Sequence, residues 1–453
     1  MIVLKFGGTS VGDAEAIKRT GAIVASRRDR KPIVVVSALA GVTNGLIAIG
    51  EQSSKGHLIG AVRAVENIRT RHLEVAEALL GSTDECVEVC SEMSALCDEL
   101  AHLAEALSTL GDATPRSLDM VASFGEQLSS ILCVAAFVRQ GLPATHIDAR
   151  KVMITDDTFT KAEPQPDAIA EATRAFLLPE VTAGRIPVLG GFIGSAKGKG
   201  TTTTLGRGGS DYSASLIGAA IRAEAIEIWT DVDGMLTADP RVVPTARLIH
   251  RIGFDEASEL ASFGAKVLHP NTIAPAVRLG IPVLILNSHR PDGMGTVITF
   301  EAPRRGVSAI AGKNDVTLIR VGSPRMLLTD GFLRVLFEVF ARHKASIDVV
   351  ATSEVSVSVT MDDPSRLPAL LPDLRELGDV AVERNRGIVA IVGAALREGG
   401  QHMSRAMSAL GDVSVHMLSL SATGINLTVV VDDDQVKPAI QRLHAEFFGK
   451  DAP

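Results

Sequence analysis

The sequence has no excess of positive charge, few cysteines and no long apolar segment, and each shortage narrows the possible functions. Its net charge is −8 over 453 residues, so we expect no general attraction to nucleic acid or to an acidic membrane surface. No apolar run approaches the roughly 18 residues of a membrane-spanning helix, and a strand predicted from Ile2 leaves no room for a signal peptide. We therefore expect a cytoplasmic protein with no nucleic-acid or membrane partner.

The four cysteines show no metal-binding spacing. Cys86, Cys90 and Cys97 recur at intervals that would place them on roughly one face of a helix, and Cys133 stands apart. No C-x-x-C pair and no suitably spaced histidines accompany them, which argues against a zinc site. We expect small packing residues in a reducing compartment, and we predict no metal held by the protein alone.

The common nucleotide-binding signatures are also missing. The P-loop pattern G-x-x-x-x-G-K-[ST] does not occur, since the nearest candidate, residues 194–200, fails the spacing. No G-x-G-x-x-G follows a predicted strand, and the motif set of protein kinases is absent. A nucleotide site in this chain must therefore be of another kind.

What is present, over about the first 300 residues, is an alternation of buried strands and helices. Asp13 is predicted to cap a helix that runs to about Ser26, and residues 58–109 are predicted to be helical with a break near Gly81. Continuous apolar strands between helices indicate an α/β fold with a largely parallel sheet covered on both faces. The predicted strands are residues 2–6, 33–36, 187–193, 226–230 and 282–286.

The pattern changes near residues 301–305. Beyond them, shorter elements follow the order strand, helix, strand, strand, helix, strand twice, which indicates two tandem α+β modules. We predict a catalytic domain at residues 1–300 and modules at residues 312–385 and 386–450, with the option that the C-terminal strand or helix completes the first module. Among the strands predicted here are residues 316–321, 346–352, 380–383 and 388–392.

The first candidate site is the run Lys5-Phe6-Gly7-Gly8 at the end of the first predicted strand. Two glycines after a strand let the backbone and its N–H groups approach an anion, and Lys5 could reach the same anion. The alternative is an ordinary turn preceded by a strand-end charge.

A second run, residues 200–211, combines hydroxyl side chains and glycines with Arg207 and Asp211. It precedes a helix predicted at residues 212–221, and a glycine-rich loop before a helix is a common anion site. A flexible surface loop is the alternative. Two further runs carry charge: Trp229-Thr230-Asp231 ends a buried strand, and Phe263-Gly264-Ala265-Lys266 contains a lysine that could contact a nucleotide or lie in solvent.

Together these runs resemble the aspartokinase family of the amino acid kinase superfamily, especially its monofunctional, lysine-sensitive bacterial members. The resemblance covers essentially the whole chain, and the two C-terminal modules look like ACT domains. It implies a three-layer αβα kinase fold and the reaction of ATP with L-aspartate to give ADP and 4-phospho-L-aspartate. That reaction opens the biosynthesis of lysine, threonine, methionine and diaminopimelate.

The resemblance also implies roles for individual residues. Lys5 and Gly8, with Asp211 orienting the lysine, are the implied catalytic residues. Substrate contacts are implied for Thr43, Glu126, Arg207 and Ser210. The residues that match the ATP pocket are Lys5, Phe6, Gly7, Gly8, Thr230, Asp231, Leu236, Arg241, Lys266 and Val267. Leu236 departs from the family, since relatives commonly carry a tyrosine there, and we expect somewhat altered ATP affinity.

These roles agree with the chemistry of the reaction. The attacking carboxylate is already ionised at neutral pH, so no general base is required. The difficulty is the approach of two anions, which Lys5 and Mg²⁺ carried by the nucleotide would offset. Arg207 could bind a substrate carboxylate in a bidentate manner, while Glu126 could pair with the ammonium. Without the resemblance, Glu126 and Thr43 would be read as ordinary helix or cap residues.

In the C-terminal half the resemblance implies an effector site and a homodimer or dimer of dimers through the ACT modules. The matching residues are Met326, Thr329, Gly331, Phe332, Leu333, Asp348, Thr352, Ser353 and Glu354. Lysine is the favoured effector, with threonine as the alternative. The competing functions are an amino-acid sensor without activity and a kinase for another acid, such as glutamate or acetylglutamate. Packing of a helix start would also explain Phe332 and Leu333.

Overall fold

The computed structural model describes residues 1–264, 270–303, 306–327, 330–394, 396 and 400–449. The chain divides into two compact units, and each is described by itself. The first comprises Met1–Met235 and Val267–Phe300, and the second comprises Leu236–Lys266 and Glu301–Pro453.

The strands are β1 (Ile2–Phe6), β2 (Pro32–Val36), β3 (Ala144–His146), β4 (Ile154–Thr155), β5 (Ile186–Gly190), β6 (Ile193–Ala196), β7 (Thr202–Thr204), β8 (Ala225–Thr230), β9 (Arg251–Ile252), β10 (Val283–Asn287), β11 (Thr296–Ile298), β12 (Ala309–Gly322), β13 (Val350–Thr352), β14 (Ser356–Met361), β15 (Asp379–Val392), β16 (Met417–Leu420) and β17 (Asn426–Asp432). The α-helices are α1 (Ala14–Ser26), α2 (Val42–Ser54), α3 (Leu58–Leu80), α4 (Asp84–Leu110), α5 (Pro115–Arg139), α6 (Pro166–Phe176), α7 (Leu178–Thr182), α8 (Gly209–Ile221), α9 (Phe254–Ser262), α10 (Ala274–Arg278), α11 (Phe332–Arg342), α12 (Leu367–Leu377), α13 (Gln401–Leu410) and α14 (Val436–Phe448).

The first unit is built on a central sheet in the order β3-β5-β2-β1-β8-β10-β11. Every pairing in this order is parallel except that of β10 with β11. The predicted α/β class is confirmed, as are the Asp13 cap, whose side chain accepts from the Ala16 N–H, and the helix break near Gly81. A smaller sheet of β4, β6 and β7 lies beside it.

Strand β1 shows how the layers form. Ile2, Leu4 and Phe6 join the core made with α1 to α5, whereas Val3 lies beside Gly218 of α8 on the opposite face. Side chains alternate along a strand, so Lys5 faces α8 as Val3 does. Backbone hydrogen bonds then join the carboxyl ends of four strands at one edge: Gly7 to Trp229, Ser37 to Phe6 and Gly191 to Val36.

One sequence prediction for this unit was wrong. The strand predicted over residues 187–193 is interrupted, because Phe192 has a φ of +65° and turns the chain between β5 and β6. The turn could not be recognised in the sequence, because the residues around it are as apolar as those of a continuous strand. Helix α5 is long and apolar enough to cross a membrane by length and composition alone. Its most apolar window is 83% buried inside the structure, as in the core helix of a folded domain.

The second unit contains a mainly antiparallel sheet in the order β13-β14-β12-β15-β17-β16. Strands β12 and β15 lie side by side at the centre of the sheet, and their pairing is irregular between Lys313 and Leu318. One core lies under α11 and α12, and a second lies under α13 and α14.

The strands of this unit differ from prediction at two places. The segments at 380–383 and 388–392 form one strand, because Arg386 and Gly387 between them remain paired with β17. Asn385, with a φ of +57°, lies where the pairing with β12 shifts register. The strand predicted over 346–352 begins only at Val350.

Candidate active site

The two glycine-containing runs meet in the first unit at a buried ion pair. Lys5 Nζ lies 2.8 Å from Asp211 Oδ1, and the two side chains are 11% and 13% exposed. Lys5 is held between Val35 and Ile228 of the neighbouring strands, and Asp211 is the third residue of α8. A positive group is therefore fixed close to the N-terminus of a helix, where anions are also favoured.

Gly8 is required for close backbone packing, whereas a Cβ at Gly7 would make only ordinary contacts. A Cβ at Gly8 would lie 2.9 Å from the carbonyl oxygen of Ala38, while a Cβ at Gly7 would lie 3.6 Å from Lys5 Nζ. Gly7 donates its N–H to the Trp229 carbonyl at 3.0 Å, so this N–H is already engaged. Gly7 thus leaves the space next to Lys5 Nζ free of a side chain, but its N–H is not a spare anion donor.

Glu126 lies on α5 with 3% of its surface exposed. Its Oε1 accepts the Ala38 N–H at 3.2 Å, whereas Oε2 has no hydrogen-bond partner among the described residues. Burial raises the pKa of Glu126 to about 8, against the opposing effects of the Ala38 N–H and the Lys5 charge. A buried carboxyl oxygen that has no partner can pair with a cationic group of a ligand.

The turn that carries Arg207 leads from β7 into α8. Gly206 and Gly208 flank Arg207 with φ values of +75° and +70°, and the Arg207 side chain is exposed. Ser210 follows in the first turn of α8 and is buried. Thr43, the second residue of α2, is half-buried.

Sequence reasoning missed Gly190 and Gly191, which stand at the end of β5 much as Gly7 and Gly8 stand at the end of β1. A Cβ at Gly190 would lie 2.8 Å from the Glu126 Cβ, and one at Gly191 would lie 2.7 Å from the Ser210 Cα. These glycines therefore let α5 and α8 approach the sheet edge. The repeated strand-end Gly-Gly was the signal that could have found them. Asp119, buried on α5, was also missed.

The other residues expected to contact ATP are divided between the two units. Phe6 is buried under the sheet, and Thr230 ends β8 with its carbonyl accepting the Ser288 N–H at 2.8 Å. Asp231 is exposed and accepts the Thr230 hydroxyl at 3.2 Å.

In the second unit, Leu236 is half-buried and bridges to Leu248, while Arg241 is 83% exposed and paired with Asp239 at 2.6 Å. Lys266 and Val267 lie outside the described residues.

The candidate effector residues lie at several places in the second unit. Gly331, with a φ of +82°, precedes α11, where Phe332 is buried and Leu333 is 40% exposed. Met326 is half-buried, and Thr329 lies outside the described residues. Thr352 ends β13.

The exposed turn after β13 contains Ser353 and Glu354. The Ser353 hydroxyl lies 2.8 Å from that of Ser356, and Glu354 is exposed.

Asp348 has the most distinctive surroundings of this set. Its Oδ2 lies 3.2 Å from Lys313 Nζ, which also pairs with Asp362 at 2.6 Å. Burial raises the pKa of Asp348 to about 6, with Lys313 lowering it and Asp362 adding to the rise. The Asp348 carboxyl therefore changes its protonation state at a pH only slightly below the physiological range.

Comparison with known proteins identifies two family models in the chain. Residues 1–287 match the amino acid kinase family, and residues 389–447 match an ACT domain. The chain is 38% identical to lysine-sensitive aspartokinase 3 of Escherichia coli, covering 99% of both proteins. It is 34% identical to chloroplastic aspartokinase 3 of Arabidopsis thaliana, covering 99% of this chain and 82% of that protein.

Solved structures give the same result. E. coli aspartokinase III in complex with aspartate and ADP matches with a TM-score of 0.86 and 38% identity, covering 98% of this chain and 99% of that one. The same enzyme in complex with lysine and aspartate matches with a TM-score of 0.82 at the same identity, covering 99% of each chain.

Proposed function

The chain belongs to the amino acid kinase family and, within it, to the aspartokinases, and on that premise we propose which residues carry out the reaction. The reaction is phosphoryl transfer from ATP to the β-carboxylate of L-aspartate. The observation that supports the assignment is the proximity of the Lys5–Asp211 ion pair to the Glu126 carboxyl, whose Oε2 has no hydrogen-bond partner among the described residues. Glu126 feels the charge of Lys5, which helps to lower its pKa.

Lys5 is assigned to the transferring phosphoryl group. Two anions must meet in this reaction, and a fixed ammonium stabilises the charge that builds up between them. Asp211 Oδ1 lies 2.8 Å from the Lys5 Nζ and restricts the rotamers that this flexible side chain can adopt. Gly7 and Gly8 leave the neighbouring space free of side chains. No general base is needed, because the β-carboxylate enters ionised.

Mg²⁺ would enter with the nucleotide. Among the residues that the structure describes, no three histidine, cysteine, aspartate or glutamate side chains lie where they could hold a metal together. The ion would therefore depend on phosphate oxygens, and it would neutralise their charge. The glycines beside Lys5 fit a phosphate chain, since they present no side chain to obstruct it.

The substrate aspartate is assigned to a clamp for its two kinds of charge. Glu126 Oε2 takes the ammonium, and the Arg207 guanidinium takes a carboxylate in a bidentate manner. Thr43 and Ser210 supply hydroxyls beside them. A buried carboxyl that is left without a partner costs free energy, so its pairing with an ammonium contributes to binding and to specificity.

Regulation is assigned to the second unit. The E. coli relative is described as lysine-sensitive and has been solved with lysine bound, and Asp348 offers a carboxylate for the effector's ammonium. We favour lysine as feedback inhibitor and keep threonine as the alternative. We further infer a kinase domain at 1–300 with ACT modules at 312–385 and 386–450, a homodimer or dimer of dimers through these modules, and a cytoplasmic location.

A hydroxamate assay tests these assignments. The purified protein is incubated with ATP, Mg²⁺ and hydroxylamine with aspartate, glutamate or N-acetylglutamate, each with and without lysine or threonine. Hydroxamate formed from aspartate alone, and reduced by lysine, supports the whole proposal. Product from glutamate but not aspartate would overturn the substrate assignment. An unchanged rate with both effectors would overturn the regulatory one.

A further inference from the structure

Asp119 is a buried charged residue that the assignments above leave without a role. It lies on α5 with 1% of its surface exposed. Glu126 follows seven residues later on the same helix, and residues at this spacing share a helix face. Their Cα atoms are thus separated by about 10 Å along the helix.

Asp119 accepts three hydrogen bonds, all from two threonines outside α5. Oδ2 accepts the backbone N–H of Thr160 at 2.9 Å and that of Thr204 at 3.0 Å. Oδ1 accepts the Thr204 hydroxyl at 2.6 Å. Burial raises the pKa of Asp119, and these bonds act in the opposite direction. No ion pair with a lysine or arginine is recorded for this carboxyl within the described residues, so its charge is stabilised by these donors.

The two threonines border the turn that presents Arg207. Thr204 is the last residue of β7 and stands three positions before Arg207. Thr160, with a φ of +69°, has its carbonyl oxygen 3.3 Å from where a Cβ of Gly206 would lie. The Ala162 N–H donates to the Thr204 carbonyl at 2.9 Å, which joins the two segments. Asp119 therefore ties to α5 both the β7 end of the Arg207 turn and the loop at Thr160 that packs against Gly206.

We propose that Asp119 is a positioning residue that holds the Arg207 turn at a fixed distance from Glu126, so that the α5 helix sets the geometry of the aspartate clamp. Asp119 does not touch the substrate. It acts through Arg207, whose exposed side chain stands on a turn with two left-handed glycines. The inference rests on the proposed roles of Glu126 and Arg207. It adds a third residue that controls where the substrate carboxylate is held.

The test is a double-mutant cycle between Asp119 and Arg207, read in the KM for aspartate. Asp119→Asn keeps the shape of the side chain but replaces an acceptor by an amide that opposes the backbone donors. We expect it to raise the KM for aspartate about tenfold, as loss of one positioned charged contact does, with the KM for ATP changed less than about twofold. On an Arg207→Ala background, the same substitution should add less than about twofold.

Two variants that each remove a single hydroxyl control for the possibility that Asp119→Asn fails to fold. Thr204→Val removes only the hydroxyl bond to Asp119 and should raise the KM for aspartate in the same direction by a smaller factor. Thr203→Val is the matched control, because its hydroxyl, on the adjacent residue of the same strand, bonds to Thr155 at 2.7 Å instead. Thr203→Val should leave both KM values unchanged.

The outcomes separate this proposal from the one on which it rests. If Arg207→Ala leaves the KM for aspartate unchanged, the role of Arg207 itself is wrong and the present proposal falls with it. If Arg207→Ala has its effect but Asp119→Asn multiplies it in full, Asp119 does not act through Arg207, and only the present proposal is overturned. Equal increases in KM for aspartate and ATP, or equal effects of Thr203→Val and Thr204→Val, would also overturn it.

Discussion

Binding of aspartate should release a proton from Glu126. The Glu126 pKa is raised to about 8 by burial, because one of its oxygens has only the Ala38 N–H and the other is unpaired among the described residues. At pH 7 a group with this pKa is about 90% protonated. An ammonium placed against Oε2 favours the ionised form, so the pKa falls on binding. The bound state then holds less proton than the free state.

The size of the effect follows from that pKa. Release of about 0.9 proton per aspartate is expected at pH 7, falling to about 0.1 at pH 9. The affinity for aspartate should therefore rise about tenfold between pH 6 and pH 7 and level off above pH 8. The sign is fixed by the direction of the shift, since a raised carboxyl pKa penalises binding at low pH.

Calorimetry measures this release directly. Aspartate is titrated into the protein with a non-hydrolysable ATP analogue and Mg²⁺, in phosphate and in Tris buffers at pH 7 and pH 9. The difference in observed enthalpy between buffers, divided by the difference in their ionisation enthalpies, gives the number of protons. Glu126→Gln should abolish the release and weaken binding on the order of 100-fold. Equal enthalpies in both buffers at pH 7 would refute the assignment of the ammonium to Glu126.

Three further results are expected. Lys5→Ala should lower kcat on the order of 1,000-fold or more, while circular dichroism shows the secondary structure intact. Its Tm should fall, because the Asp211 carboxylate is left buried without its partner, and adding Asp211→Ala should restore the Tm but not the turnover. Near-normal turnover in Lys5→Ala would remove this residue from the mechanism. Gly191→Ala should abolish activity, because its Cβ would meet the Ser210 backbone at 2.7 Å, whereas Gly45→Ala, with its nearest neighbour at 3.8 Å, should not. Inhibition by lysine should weaken about tenfold as pH falls from 7 to 5, because Asp348, with a pKa of about 6, becomes protonated and cannot pair with an ammonium. The Asp348→Asn variant should be inhibited poorly by lysine at every pH. Inhibition that does not change with pH in the unsubstituted protein would contradict the role of Asp348.

The central sheet was predictable because its strands are continuous apolar runs. Strands β1, β2 and β8 lie within one residue of their predicted limits, since buried parallel strands carry their signal in composition alone. The interruption at Phe192 was not predictable in this way. A residue with a φ of +65° is held there by the surrounding chain, including the Ser213 hydroxyl that accepts its N–H at 3.0 Å.

The candidate site was predictable only in part, for a related reason. Lys5, Arg207 and Asp211 were recognisable because charged residues stand among glycines at the ends of elements. Asp119 carries no such local signal, because a single aspartate on a long helix is most often a solvated side chain. Its importance depends on Thr204, 85 residues away, and no sequence period relates the two.

The Lys5–Asp211 pair shows why neither residue could have been assigned alone. An isolated lysine on a buried strand would lose its charge or destabilise the fold, and an isolated aspartate at the start of α8 would merely favour the helix. Placed 2.8 Å apart, the two side chains form an ion pair in a site that is largely closed to water. A phosphoryl group that enters beside them meets an ammonium already oriented and already stripped of most of its solvent. The free-energy cost of desolvating this ammonium is thus incurred during folding, and the ion pair with Asp211 offsets that cost.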